Sequence, residues 1–294
     1  MTTDDIQETF RLARELKEKT KKAKKHALLE GQTLAMIFQK PSARTRVSFE
    51  VGMFQLGGHA LYLAPTDIGL GKRESVADVA RVFSRYNHGI MARVFGHDIV
   101  EALGRHASIP VINGLSDLVH PCQVMGDMLT ILEHRGCFDG LKLAYVGDGN
   151  NLANSWINMA SRIPMQLNLA VPRGYDPDKT TLAKGREAGV SEINLIRDPK
   201  EAVKGVDFIY TDVWASMGQE KEAEKRMKIF KDYQVNEALV EEAKPDVKVL
   251  HCLPAHRGDE ITDGVMDGPH SIVFDEAENR LHIQKAIMVR LMRR

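Results

Sequence analysis

Short apolar runs of strand length alternate with amphipathic stretches of helix length along most of this chain, which strongly constrains its fold. In the first half the strand-like runs are Leu34–Gln39, His59–Ala64, Gly89–Phe95 and Pro110–Leu115, with helical patterns at about Ala43–Leu56, Glu74–Arg85 and Asp98–Ala107. In the second half they are Lys142–Val146, Leu167–Val171, Val206–Thr211, Val247–Cys252 and Ser271–Asp275, again with helices between. Such alternation predicts an α/β protein with parallel sheets covered by helices on both faces. At 294 residues the chain has room for one large domain or two ordinary ones. A long helix, Pro121–Arg135, followed by the turn-like Phe138-Asp139-Gly140, reads as the junction of two domains. In such folds ligands sit beyond the carboxyl ends of the strands, and each motif below falls there.

Pro41-Ser42-Ala43-Arg44-Thr45-Arg46 follows the first strand and opens a helix in which Val47, Val51 and Phe54 fall at i, i+4 and i+7. That spacing predicts an amphipathic helix with this stripe as its apolar face. Ser42 is a natural N-cap. A helix start carries positive partial charge, so Arg44 and Arg46 in its first turn oppose the dipole. A local conflict of this kind is expected at functional sites. A bound dianion resolves it, gathering backbone N–H groups, the Ser42 and Thr45 hydroxyls and a guanidinium fork. Residues two apart on a helix point about 200° apart. Arg44 is therefore expected to grip the anion, with Arg46 in a supporting or inter-subunit role.

His120-Pro121-Cys122-Gln123 opens the junction helix, where His120 and Gln123 share a face. Gly147-Asp148-Gly149-Asn150-Asn151-Leu152 has two glycines of a dinucleotide fingerprint but Leu152 in place of the third. The next strand ends in Val171-Pro172-Arg173 without the acidic residue that a nicotinamide cofactor requires. Asn150 and Asn151 suit a zwitterion instead, because their amides offer both donors and acceptors. Asp212, at the end of the strand Val206–Thr211, can pair with a ligand ammonium, and the loop through Ser216, Met217 and Gly218 offers hydroxyl and N–H groups. His251-Cys252-Leu253-Pro254 ends the strand Val247–Cys252. Alternation along a strand turns His251 away from Cys252, which argues against a Cys/His hydrolase pair.

Composition narrows the classes further. The 40 basic and 40 acidic side chains cancel, against a partner surface of nucleic acid or membrane recognised by bulk charge. The one long basic run, Lys17–Lys25, reads as the solvated face of an N-terminal helix. No apolar run reaches the roughly 18 residues of a membrane span, and the acidic start resembles no signal peptide. The three cysteines, Cys122, Cys137 and Cys252, form no even disulfide framework and no CxxC pair, which points to a reducing cytoplasm, and the spacing of Cys122, His120, Cys252, His251 and His256 matches no zinc pattern.

Taken together, Ser42-Ala43-Arg44-Thr45-Arg46, His120-Pro121-Cys122-Gln123, Asp212…Ser216-Met217-Gly218 and His251-Cys252-Leu253-Pro254 resemble the ornithine carbamoyltransferases, within the aspartate/ornithine carbamoyltransferase family. Ala92-Arg93-Val94 and Glu278-Asn279-Arg280 are similar to that family's strings too, and the likeness runs from about Leu16 to Ala286. The resemblance implies a carbamoyl phosphate-binding domain (1–136, plus a returning C-terminal helix, 277–294) and an ornithine-binding domain (137–276). It implies carbamoyl phosphate on Ser42, Ala43, Arg44, Thr45, Arg93, His120, Gln123, Cys252, Leu253 and Arg280. Ornithine falls to Asn151, Asp212, Ser216 and Met217, and Cys252, Arg93, His120 and Asp212 become the catalytic group. It further implies carbamoyl transfer to L-ornithine giving citrulline, no metal or organic cofactor, a cytoplasmic setting, and a homotrimer or multiple of trimers. The alternatives are a carbamoyltransferase for another amine, such as putrescine or an acylated ornithine, or a non-catalytic phosphate-binding relative. Two departures stand out: Ala43 replaces the family's usual threonine, and Gly126 stands inside a helix where the family usually has alanine.

Overall fold

In the computed structural model, which describes residues 1–71, 73–215 and 222–293, the alternation is realised as two all-parallel sheets. The chain starts with α1 (Thr3–Lys21), capped by a reciprocal pair of bonds between Thr2 and Asp5. There follow β1 (Thr33–Phe38), α2 (Ala43–Gln55), β2 (His59–Leu63), α3 (Pro65–Ile68), α4 (Val76–Tyr86), β3 (Gly89–Arg93), α5 (His97–His106) and β4 (Val111–Leu115). After α6 (Pro121–Arg135) come β5 (Lys142–Val146), α7 (Asn151–Ala160), β6 (Gln166–Ala170), α8 (Lys179–Glu187) and β7 (Glu192–Ile196). The chain ends with α9 (Pro199–Val203), β8 (Phe208–Thr211), α10 (Ala223–Phe230), α11 (Glu237–Glu241), β9 (Lys248–His251), α12 (Asp263–Met266) and α13 (Val273–Met292). It divides into two compact units, Met1–Leu129 with Glu278–Arg294, and Thr130–Ala277.

Each unit has its own core. In the first, Ala35, Ile37, Ile90 and Ala92 from the two central strands pack with Val79 and Leu103 from α4 and α5. In the second, Ala144, Val146, Ile209 and Val249 pack with Val203, Phe230 and Val265. Strand order places the sites. The first sheet runs β2-β1-β3-β4, so successive crossovers leave β1 in opposite directions and a crevice opens beyond the carboxyl ends of β1 and β3. Phe38 and Arg93 are partners there. The second sheet runs β7-β6-β5-β8-β9, with its reversal at β5 and β8, where Val146 partners Thr211. The arginine motif and Arg93 thus border one reversal, and Asn150 and Asp212 the other.

Several sequence expectations need correction. Ser271–Asp275 is not a strand: Ser271 makes one bridge to Val249, and α13 then begins at Val273. Asp275 and Glu276 in the first turn favour the helix, and Phe274 points to solvent. The fifth strand of that sheet is instead β7, an edge strand whose Glu192 and Asn194 interrupt any apolar run. In α2 the stripe Val47, Val51 and Phe54 is exposed by 55%, 36% and 80%, while Thr45, Phe49, Gly52 and Met53 face inward with the same helical spacing. Gly52 decides the choice, because a Cβ there would press on Met288 and Lys285 of α13. Lys17 also leaves the basic run's solvated face: it is buried and donates to Asn279 Oδ1 at 2.8 Å.

That contact is one of several that fasten α13 to the first unit. Arg290 donates to Asp5 at 2.7 Å. Lys285 is fully buried, donating to Thr20 Oγ1 at 2.7 Å and Gln55 Oε1 at 2.8 Å, with His26 Nε2 at 3.5 Å. These acceptors are uncharged, and burial pulls the Lys285 ammonium down to about 8. An unfolded lysine titrates near 10.4, so between about pH 8 and about 10.4 the unfolded chain binds the extra proton and stability should rise with pH. Lys285→Met should lose that rise in denaturant unfolding followed across the window; a variant with the parent's slope refutes the assignment.

A Cβ at Gly126, inside α6, would meet Ile283 at 3.6 Å and Arg280 at 3.7 Å, ordinary contact distances. Gly126→Ala should therefore stabilise the protein by about 0.5–1 kcal/mol, read as a higher denaturant midpoint at unchanged slope.

Candidate active site

In the first unit the chain leaves β1 and turns into α2 at Ser42, whose Oγ accepts the N–H of Thr45 at 3.3 Å. No acidic residue occupies the first turn of α2, so its positive end is left for a ligand. The Thr45 hydroxyl is almost wholly buried and is the point on which the donors converge. Thr45 Oγ1 accepts from Arg280 Nη2 at 2.8 Å, from Ser42 Oγ at 3.1 Å and from Arg93 Nη1 at 3.5 Å. Arg93 ends β3 beside an irregularity in the β3–β4 ladder, where Arg93 pairs with Leu115 and Gly114 is passed over. Side chains are re-aimed at such bulges; here a Cβ on Gly114 would strike Met91 Sδ.

The two arginines of the motif separate. Arg46 turns outward, its guanidinium 3.9 Å from the Tyr62 ring centroid and its Nε 3.0 Å from Glu50. Arg44 is half-buried, and its Nε is a buried donor with no hydrogen-bond partner among the described residues. His120 is buried at the start of α6; burial first, then the charges of Arg93 and Arg280, hold it well below the usual histidine range. It is therefore a neutral ring that can donate one N–H without adding charge. Gln123 Nε2 donates to Asp127 at 2.8 Å. Burial pushes the Cys122 thiol up to about 12, so that cysteine is inert packing. Lys40 was not anticipated from sequence. It lies half-buried over the Phe95 ring at 4.7 Å, and burial and Arg93 lower its affinity for a proton. Its position just before the motif was the available signal.

In the second unit Asp212 follows β8 and is buried. Its Oδ1 accepts Val213 N–H at 2.8 Å and the Cys252 thiol at 3.0 Å, and its Oδ2 accepts Asn150 Nδ2 at 2.9 Å. Asn151 begins α7, and its carbonyl accepts Ser155 Oγ at 2.7 Å. Gly149 is required by packing, since a Cβ would collide with the 175–177 backbone. Asp148 and Arg226 form a buried pair at 2.8 Å, with Arg226 also donating to the Trp214 carbonyl at 2.8 Å. Burial lifts the Asp148 carboxyl to about 6 against the pull of Arg226. Ser216 and Met217 lie outside the described residues.

His251 ends β9, and both its ring nitrogens are engaged: Nδ1 accepts Leu253 N–H at 2.9 Å, and Nε2 donates to the buried Glu260 at 3.0 Å. Leu253 holds a left-handed backbone, φ +56°. The ring thus braces the Cys252-Leu253 turn, and the thiol is paired with Asp212.

Three donors, two of them guanidinium groups, on one neutral hydroxyl at a helix start form an anion cradle. Inorganic phosphate at about a hundred times its dissociation constant should stabilise the protein by about 2.7 kcal/mol, roughly 4 °C in melting temperature for a chain of this size. Arg280→Gln should lose most of that shift; a parent whose melting is unmoved by phosphate overturns the cradle.

Comparison with known proteins follows the same division. The chain matches the family model for aspartate/ornithine carbamoyltransferase, carbamoyl-P binding domain, over residues 1–133, and that for the Asp/Orn binding domain over residues 139–291. It is 56% identical over 284 residues to the ornithine carbamoyltransferase of Syntrophus aciditrophicus, covering 97% of this chain and 94% of that relative. It is 54% identical over 295 residues to the anabolic ornithine carbamoyltransferase of Pyrococcus furiosus, covering 99% and 93%. The solved structure of ornithine carbamoyltransferase from Pyrococcus furiosus superposes with a TM-score of 0.96 at 53% identity, covering 99% of this chain and 94% of that one. With models matching both halves and relatives more than half identical along nearly their whole length, the chain belongs to the aspartate/ornithine carbamoyltransferase family.

Proposed function

We propose that the protein transfers the carbamoyl group of carbamoyl phosphate to the side-chain amine of L-ornithine, giving L-citrulline and phosphate. The observation that carries this reading is the convergence of Arg93 and Arg280 on Thr45 at the open start of α2. Carbamoyl phosphate is assigned to residues 1–136 and 277–294: Ser42, the Ala43 N–H, Arg44, Thr45, Arg93, His120, Gln123 and Arg280. Ornithine is assigned to residues 137–276, with Asp212 on its α-ammonium, Asn151 beside it, and Ser216 and Met217 placed there from sequence alone. Cys252 and Leu253 attend the reacting groups.

The chemistry follows from these parts. The unprotonated amine attacks the carbonyl carbon, a tetrahedral oxyanion forms, and its collapse breaks the bond to the phosphate oxygen while the attacking nitrogen passes its extra proton to the departing phosphate. Arg93, Thr45 and neutral His120 can donate to the oxyanion, each such donor contributing about 10²–10³ in rate. Arg44 and Arg280 hold the phosphate as it gains charge on leaving. The ornithine side-chain ammonium titrates near a lysine's, about 10.4, so it must lose a proton before attack. Activity is then expected to rise from about pH 7 towards 8–9.

The exposed stripe Val47, Val51 and Phe54 on α2 supports a homotrimer, or a multiple of trimers, in which a second copy covers it. No described helix is long and apolar enough to cross a membrane, and three free cysteines fit a cytoplasmic setting.

The test is citrulline formation from carbamoyl phosphate with ornithine, putrescine, acetylornithine or aspartate offered in turn, ornithine being the expected acceptor. Two variants should fail differently. Asp212→Asn keeps the shape but removes the charge, so ornithine affinity should fall at least tenfold while carbamoyl phosphate still binds. Cys252→Ser should bind both substrates and turn over slowly. Normal ornithine binding by Asp212→Asn, or full turnover by Cys252→Ser, removes the role given to that residue.

A further inference from the structure

Asn150 carries an amide whose two ends do different work. Its Oδ1 accepts Leu152 N–H at 2.8 Å and Ala153 N–H at 3.3 Å, which caps α7, and also the Tyr145 hydroxyl at 3.1 Å. An amide nitrogen cannot accept three donors, so the oxygen end is fixed by its surroundings. The nitrogen end is thereby turned the other way, where Nδ2 donates to Asp212 Oδ2 at 2.9 Å. Tyr145 is itself held: its ring is fully buried and stacks on Tyr210 with centroids 5.9 Å apart. Asp212 Oδ1 already has Val213 N–H and the Cys252 thiol, so Asn150 supplies the side-chain bond that sets Oδ2.

We propose that Asn150, locked by Tyr145 and the start of α7, is a positioning residue that aims the Asp212 carboxylate at the ornithine ammonium. This rests on the ornithine reading of Asp212 given above. Asn150 does not bind substrate through its oxygen in this arrangement, since that oxygen is committed to the helix and to Tyr145. It acts through Asp212, and Tyr145 acts through Asn150. The effect falls on ornithine and not on carbamoyl phosphate.

Helix capping and carboxylate positioning can be separated by the choice of replacement. Serine and aspartate are both good N-caps. Serine is too short to reach Asp212, and aspartate puts a second negative oxygen where the donor stood. Initial rates with both substrates varied should show Asn150→Ser raising the ornithine KM about tenfold, the scale of one hydrogen bond to a charged group. The carbamoyl phosphate KM should stay within about twofold, and melting temperature within about 2 °C, the scale of a fraction of a kcal/mol. Asn150→Asp should raise the ornithine KM further despite its equal capping. Tyr145→Phe keeps the stacked ring and should raise it about two- to threefold, as expected for one neutral hydrogen bond.

An ornithine KM within twofold of the parent in folded Asn150→Ser or Asn150→Asp overturns the proposal. If neither folds, Tyr145→Phe decides: an unchanged ornithine KM sinks the chain of contacts. Asp212→Asn run in parallel tells the two readings apart. Should it lose ornithine while the Asn150 variants keep it, positioning by Asn150 alone is wrong. Should Asp212→Asn keep ornithine, the ammonium reading of Asp212 is wrong and the positioning proposal falls with it.

Discussion

Thr45 Oγ1 receives hydrogen bonds from Arg93 and Arg280, and much of the first unit is arranged so that this small hydroxyl can be there. Burying guanidinium groups is costly unless opposite charge and further acceptors compensate. Two guanidinium groups gathered beside the open start of α2 suit an anion. Arg280 reaches Thr45 only because α13 is fastened along its length by Lys17 to Asn279, by Lys285 to Thr20 and Gln55, and by Arg290 to Asp5. Contacts far along that helix from the cradle are in this sense part of the anion site.

The second unit applies the opposite electrostatic logic at the reversal of its own parallel sheet. There the buried charge at the sheet's reversal is negative, Asp212, and its supports are donors: a backbone N–H, a thiol and the Asn150 amide. Asp148, two residues before Asn150, is neutralised by Arg226, which also holds the Trp214 carbonyl. Without that pair two carboxylates would compete for one pocket of low dielectric. Each unit thus gathers charge of one sign at its own strand-order reversal, guanidinium groups in the first and a carboxylate in the second.

How much of this was legible in the sequence differs by feature. The α/β alternation, the cap at Ser42 and the conflict of arginines with the α2 dipole were visible because they are local. Of the glycine motif, the structure explains Gly149, which is needed for the 175–177 backbone. The inward face of α2 was not visible, because both of its faces carry residues at helical spacing and only the approach of Met288 and Lys285 to Gly52 selects one. Ser271–Asp275 misled for a related reason: a single bridge to Val249 precedes a helix whose acidic first turn overrides the apolar pair Ile272-Val273. β7 hid behind its polar edge positions. The role of Lys17 and the support of Asp212 by Asn150 depend on partners distant in sequence, which no periodicity carries.

The Cys252-Leu253 turn shows how such distant support reaches the chemistry. Leu253 sits at φ +56°, a conformation that costs an L-residue of order 1–3 kcal/mol and persists only when the surroundings impose it. The imposing group is His251: its Nδ1 can accept the Leu253 N–H only while the ring proton is on Nε2. That tautomer is chosen by Glu260, which is fully buried and also takes the His256 N–H at 2.6 Å. The strand end is gripped a second time by Glu276, which accepts the His251 N–H at 2.8 Å and the Tyr210 hydroxyl at 3.1 Å. Two buried carboxylates therefore fix the histidine, the histidine fixes a strained turn, and the turn brings a thiol to 3.0 Å from Asp212. His251 stands behind the Cys252 thiol, where the loss of either ring partner would be felt as a displaced sulfur.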